Sequence, residues 1–227
     1  MKQVVSIRRK ALAANDEQAS TLRARFAEQG SLVVNLISSP GSGKTTLLEG
    51  TIRHLAGRLS CAVIEGDVAT ERDADRIRAL GAPAHQILTG GACHLDARLI
   101  EKALTEARLP ATDILFIENV GNLICPTSYD LGEDFKVALL SVAEGDDKPF
   151  KYPAIFAKAE VSVITKIDLL PYLPFDLAAV REHIESLSPQ GTILETSATT
   201  GHGVDSWCHL LSARLAAKRA AIHPSSP

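Results

Sequence analysis

Residues 32–46 read LVVNLISSPGSGKTT, and this stretch decides the fold. Its first half, Leu32–Ile37, is an apolar run of the kind that forms a strand buried on both faces of a parallel sheet. A Gly/Ser turn follows, and Lys44-Thr45-Thr46-Leu47-Leu48 opens a helix. A strand, a glycine loop and a helix with Lys-Thr in its first turn make the context of a phosphate-binding P-loop. Gly41, Ser42 and Gly43 supply backbone N–H groups that turn inward around phosphates, and the new helix points its positive end at them. Lys44 is expected to reach the β- and γ-phosphates, the Thr45 hydroxyl to sit on Mg²⁺, and Thr46 to extend the cradle. The first glycine of the usual G-x-x-x-x-G-K-S/T pattern is Ser38 here, small enough for a strand end.

Working outward, 227 residues and 24.2 kDa suit one α/β domain with a small appendage. The expected organisation is an N-terminal helical or docking segment over residues 1–30, a nucleotide-binding domain over 31–220 and a frayed tail over 221–227. No apolar run approaches the roughly 20 residues a spanning helix needs. The start, MKQVVSIRRK, is positive but lacks the apolar stretch of a secretory signal. A net charge of −3 with both signs interspersed argues against nucleic-acid binding. Four cysteines in a P-loop chain imply a reducing compartment, and the cytoplasm is expected.

The rest of the chain supplies strand ends, where ligands gather in open parallel sheets. Residues 9–28 read as an amphipathic helix with Leu12, Leu22 and Phe26 on its apolar side. The strand Cys61–Gly66 delivers Asp67 as a Mg²⁺ candidate, with Asp75 weaker, since a solvated helix start explains Asp73 and Asp75 equally well. A strand over Ala84–Leu88 ends in a double-glycine turn carrying Cys93 and His94, before a helix over 95–108. The strand Asp113–Glu118 reads as a Walker-B strand: Glu118 would hold Mg²⁺ or its water, and the Gly121 N–H can reach a γ-phosphate. Cys125 stands four residues on, so two thiols and an imidazole leave one edge of the sheet. Such a set suits Zn²⁺, or Ni²⁺ where the geometry is planar. Three ligands underfill a tetrahedral site, which implies an open position or ligands shared across a dimer axis.

A strand from Phe135 to Gly145, a short helix over 152–159 and a strand over Val161–Thr165 come next. The last of these runs into Thr165-Lys166-Ile167-Asp168, which resembles the guanine-reading N-K-x-D motif with Thr in the Asn place. The Asp168 carboxylate can accept from the N1–H and exocyclic N–H₂ of guanine, while the Lys166 stem lies along the base. Following a helix over 175–187 and a short strand over 192–194, Ser197-Ala198 resembles the S-A-K loop whose N–H groups meet guanine O6. A final helix from Gly203 places Val204, Trp207, Leu210, Leu211 and Leu215 at core spacing, with Cys61 and Cys208 structural.

In this order the motifs, most specifically GACHLDA and FIENVGNLICP, closely resemble the HypB family of NiFe-hydrogenase maturation GTPases over about residues 30–215. The resemblance implies a SIMIBI-class G domain, three-layered around a mostly parallel sheet. It implies GTP hydrolysis, homodimerisation on GTP and a metal site at the dimer interface, held by Cys93, His94 and Cys125; since no Gln or Arg identifies itself as an accelerator, slow hydrolysis is expected. Nickel would pass toward the hydrogenase large subunit. Residues 1–30 hold neither Cys nor His, so a HypA-like partner is expected to supply the metal, with Val4, Val5 and Ile7 as a docking arm. The rivals are a urease-maturation GTPase of the UreG type, a P-loop small-molecule kinase with structural zinc, and a metal-sensing binding protein.

Overall fold

The structure, a computed structural model, describes residues 2–67 and 72–222, residues 2–9 by backbone alone. Its centre is β1 (Leu32–Ser38), every residue of which is buried. It is flanked by β4 (Ile114–Glu118) and β5 (Phe135–Ser141), which share its direction. Outward on one side lie β2 (Cys61–Asp67) and β3 (Ala84–Leu88); on the other lie β6 (Val161–Thr165) and β7 (Thr192–Thr196). The 7-stranded order is β3-β2-β4-β1-β5-β6-β7, with all neighbours parallel, so the mostly parallel expectation tightens to a wholly parallel sheet. Strand order reverses at β1, which makes the crevice beyond its carboxyl end the topological switch point.

Alternate residues of the strands enter opposite cores, as the two-residue period demands. Val34 and Leu36 pack beneath α2 (Lys44–Leu55), α3 (Arg72–Arg78) and α8 (Val204–Ile222). Val33 and Ile64 instead meet α1 (Lys2–Glu28) and α4 (Ala97–Glu106). Ile37, Ala138 and Ile164 on that same face cover α6 (Pro153–Lys158) and α7 (Leu177–Leu187). A one-turn helix, α5 (Lys148–Lys151), precedes α6. The fully buried Trp207 of α8 donates from Nε1 to Thr51 Oγ1 of α2 at 2.9 Å, tying the P-loop helix to the last helix.

Boundaries moved where local chemistry intervenes. The Phe135 strand stops at Ser141 because its hydroxyl accepts from Ala143 N–H and starts a 3-10 turn. The helix expected over 152–159 forms as α6, and an unexpected turn, α5, precedes it; the two part at Tyr152 before Pro153, whose missing N–H cannot continue the ladder. Asp96 caps α4 through the Leu99 N–H, which delays that helix by two residues from Leu95. The last strand extends to Thr196, paired with Thr165. Ala221 and Ile222, expected in the tail, are helical; residues 223–227 and the side chains of Val4, Val5 and Ile7 lie outside the described residues. No described helix is long and apolar enough to cross a membrane.

Candidate nucleotide pocket and metal centre

The carboxyl ends of β1, β2 and β4 open into a cavity of about 400 Å³. The P-loop forms its floor because Gly41 (φ +77°) and Gly43 (φ +91°) take left-handed conformations that L side chains resist. Gly121 closes one wall, so near Pro40 that a Cβ there would stand 2.9 Å from the proline nitrogen. Thus the expected γ-phosphate loop already touches the P-loop, and only glycine fits. Asp67, Asp73 and Arg76 line the far side. Asp75 does not; it pairs with Arg78 at 2.7 Å.

Charge is concentrated at the bottom. Lys44 Nζ donates to Ser38 Oγ at 3.0 Å and stands 3.9 Å from Glu118 Oε1, both side chains being buried. The serine at the motif's first-glycine position therefore serves as an acceptor for the P-loop lysine. Thr45 Oγ1 donates to the same Glu118 oxygen at 3.0 Å, leaving Glu118 Oε2 buried with no protein partner. An orphaned carboxylate oxygen beside a threonine hydroxyl is a donor set that suits Mg²⁺. Glu65, adjacent in register to Glu118, went unread in the sequence; an acidic residue inside an otherwise apolar buried strand was the signal. Burial first, and the Glu118 charge second, push its carboxyl up to about 10, while burial raises Glu118 as well. The pair can hold a proton between them until a cation arrives.

A second cavity, about 280 Å³, adjoins the first and is lined by Gly43, Thr46, Lys166, Asp168 and Ala198. Lys166, left-handed at φ 59°, donates from Nζ to Gly41 O at 2.8 Å. The Thr165 hydroxyl donates to Ser42 O at 2.6 Å, so threonine keeps the brace on the P-loop. Ser197 is buried, its backbone N–H donating to His202 O and its hydroxyl accepting from Thr200 N–H. It shapes the loop, and Ala198 meets the cavity.

Beyond β3 and β4, the ligand atoms of Cys93, His94 and Cys125 lie within 4.8 Å of one another. Cys93 Sγ approaches His94 Nδ1 to 3.6 Å, and burial lowers the His94 pKa, favouring the neutral imidazole that ligates metals. The His94 ring stacks on Tyr129 with centroids 3.9 Å apart, fastening the two ligand-bearing loops together. Asn122 Oδ1 accepts from the N–H groups of Ile124 and Cys125, turning the chain before the thiol. Two thiols and an imidazole at this separation fit a soft or borderline ion.

The model of the CobW/HypB/UreG nucleotide-binding domain matches residues 32–195, and the chain belongs to this nucleotide-binding family. Hydrogenase maturation factor HypB of Escherichia coli (strain K12) is 52% identical over 203 residues, covering 89% of this chain and 70% of that protein. The crystal structure of HypB from Helicobacter pylori in complex with nickel has TM-score 0.85 at 41% identity, covering 94% of this chain and 99% of that one. HypB from Archaeoglobus fulgidus gives 0.84 at 38%, covering 90% and 100%. Within the family, this chain is one of the HypB hydrogenase maturation factors. These matches decide for HypB against the UreG and kinase readings.

Proposed function

We propose that this chain hydrolyses GTP slowly and uses the nucleotide to govern capture and release of nickel for NiFe-hydrogenase maturation in the cytoplasm. What supports this reading is that Cys125, whose thiol lies within 4.8 Å of the ligand atoms of Cys93 and His94, stands on the chain segment after Glu118 that also supplies Asn119, Val120 and Gly121 to a wall of the nucleotide pocket. In the Mg²⁺·GTP complex, Thr45, Glu118 and Asp67 hold the ion, which neutralises charge on the β- and γ-phosphates. Lys44 and the P-loop N–H groups bind those phosphates, and the Gly121 N–H turns toward the γ-phosphate. Asp168 selects guanine, with Lys166 along the base and the Ala198 N–H at O6. Arg76 is held by Glu49 and Asp73 at 3.0 and 3.1 Å, so it is poorly placed to meet transition-state charge.

Nickel, or zinc in its place, is cargo at Cys93, His94 and Cys125. Ile124 (65% exposed) precedes Cys125 and Leu88 (54%) ends the strand that leads to Cys93, apolar groups that a second copy of the chain would cover. Two protomers meeting there on GTP complete the coordination that three ligands leave open. A HypA-like protein supplies metal, and the hydrogenase large subunit receives it.

The test is a titration of Ni²⁺ and Zn²⁺ in the presence of GDP or a non-hydrolysable GTP analogue, following mass and metal content together. Tighter or differently stoichiometric metal on a GTP-dependent dimer, abolished by Cys93→Ala, is expected. Metal binding indifferent to nucleotide and to Cys93 overturns the reading.

A further inference from the structure

Asn119 lies between the Walker-B carboxylate and the switch glycine, 1% exposed and lining the nucleotide cavity. Its Oδ1 accepts two backbone N–H groups, from Val120 at 3.0 Å and from Leu95 at 3.2 Å. Val120 precedes Gly121 on the nucleotide side; Leu95 follows His94 on the metal side. One carbonyl oxygen therefore joins the two loops. Its amide Nδ2 donates to Asn35 Oδ1 at 3.3 Å, and Asn35 Nδ2 donates to Glu133 Oε1 at 3.2 Å.

The sense of this chain is fixed. Glu133, which also pairs with Lys136 and accepts from Leu131 N–H at 2.6 Å, acts as an acceptor and so turns the Asn35 amide N–H₂ toward itself. Asn35 then offers only its oxygen to Asn119, whose own oxygen must face Leu95 and Val120. Packing adds a second tie, because the Leu95 side chain rests against Gly66 at the mouth of the nucleotide cavity. An apolar side chain in place of Asn119 would leave two buried N–H groups unpaired, so neither loop could move independently without a cost.

We propose that Asn119 is the positioning residue that couples the state of the nucleotide pocket to the geometry of the Cys93–His94–Cys125 cluster. This rests on the nucleotide-gated reading above. When the Gly121 loop follows a γ-phosphate, Val120 moves, and the shared oxygen carries Leu95, and with it His94, along. By linkage, the same free energy must appear in metal affinity and in nucleotide preference.

The experiment measures the Ni²⁺ dissociation constant of the full chain with GDP and with β,γ-imido-GTP, and takes their ratio. The wild-type ratio is expected near tenfold, inside the usual range of allosteric couplings of about 5–150-fold. Asn119→Ala should bring it within about twofold of unity, and Asn35→Ala, which leaves the Asn119 amide without its orienting acceptor, to about threefold. A purely scaffolding role would weaken nickel equally in both nucleotide states and leave the ratio intact, so a wild-type ratio in Asn119→Ala overturns the proposal. If Asn119→Ala does not fold, an unchanged ratio in Asn35→Ala does so. A wild-type ratio of one removes the nucleotide-gated reading itself, and the role of Asn119 with it.

Discussion

Thr165 shows how one atom can preserve a function when the residue changes. An asparagine in its place would brace the P-loop and touch the base; the threonine hydroxyl performs the first task, donating to Ser42 O at 2.6 Å. Thr165→Ala should therefore weaken GDP binding by about 1 kcal/mol, roughly fivefold, through a looser P-loop. Calorimetric titration with GDP checks this, and unchanged affinity would remove the brace. Glu65 makes a different demand. Its carboxyl is held up to about 10 by burial and by Glu118, so the folded, nucleotide-free protein binds a proton that the unfolded chain releases near its ordinary value. The resulting stability is full below the unfolded pKa and drains as pH rises toward 10. Thermal melts without nucleotide should fall in midpoint from pH 6 to pH 9, and Glu65→Gln should flatten that slope. Sequence alone singled out Lys44 and Thr45 by the P-loop spacing and Glu118 by its strand end, and all three line the nucleotide cavity. Glu65 and Asn119 carry no motif, and their roles come from register and burial.

Among the elements, α1 is the one whose importance the hydrophobic pattern understated. Leu22 and Phe26 mark its buried stripe, and both are 1% exposed or less. Asn15 continues that stripe as a polar residue and so escaped a reading based on apolar periodicity. Its Nδ2 donates to Asp130 O at 2.8 Å and its Oδ1 accepts from Ala97 N–H at 2.9 Å, bridging the start of α4 and the loop beyond Cys125. Arg23 reinforces the contact with Asp130 at 2.6 Å. Asn15→Ala leaves both backbone groups short of a partner and should cost about 1–3 kcal/mol in denaturant unfolding. A loss below a few tenths of a kcal/mol would mean that water takes over both bonds. The strands were far more legible than this helix, because runs such as Val161–Thr165 are buried on both faces and bounded by polar turns. Helix ends were less so, since Asp96 and Pro153 act through caps and a missing donor rather than through periodicity.

At the scale of the whole molecule, the nucleotide cavity and the Cys93–His94–Cys125 cluster both lie beyond strand carboxyl ends of one parallel sheet, and the chain from Gly121 to Cys125 runs from one to the other. Hydrolysis should be slow without a partner, of the order of 10⁻⁴–10⁻² s⁻¹ as in G proteins lacking an arginine supplied in trans. A single-turnover rate of several per second in the isolated chain would contradict the constraint on Arg76. The fold was legible from one P-loop strand and its successors, and so was the short run from Gly121 to Cys125; the bonds from Asn119 to Leu95 and Asn35 were not, because they join segments distant in sequence. Trp207 gives these events an optical reading. As the sole tryptophan, sealed from water and hydrogen-bonded to the helix that begins at Lys44, it should emit in the blue while that helix is seated and shift red when it is not. Unlabelled fluorescence thus watches the phosphate-binding half of the protein, while the cysteine edge remains spectrally silent until a metal colours it.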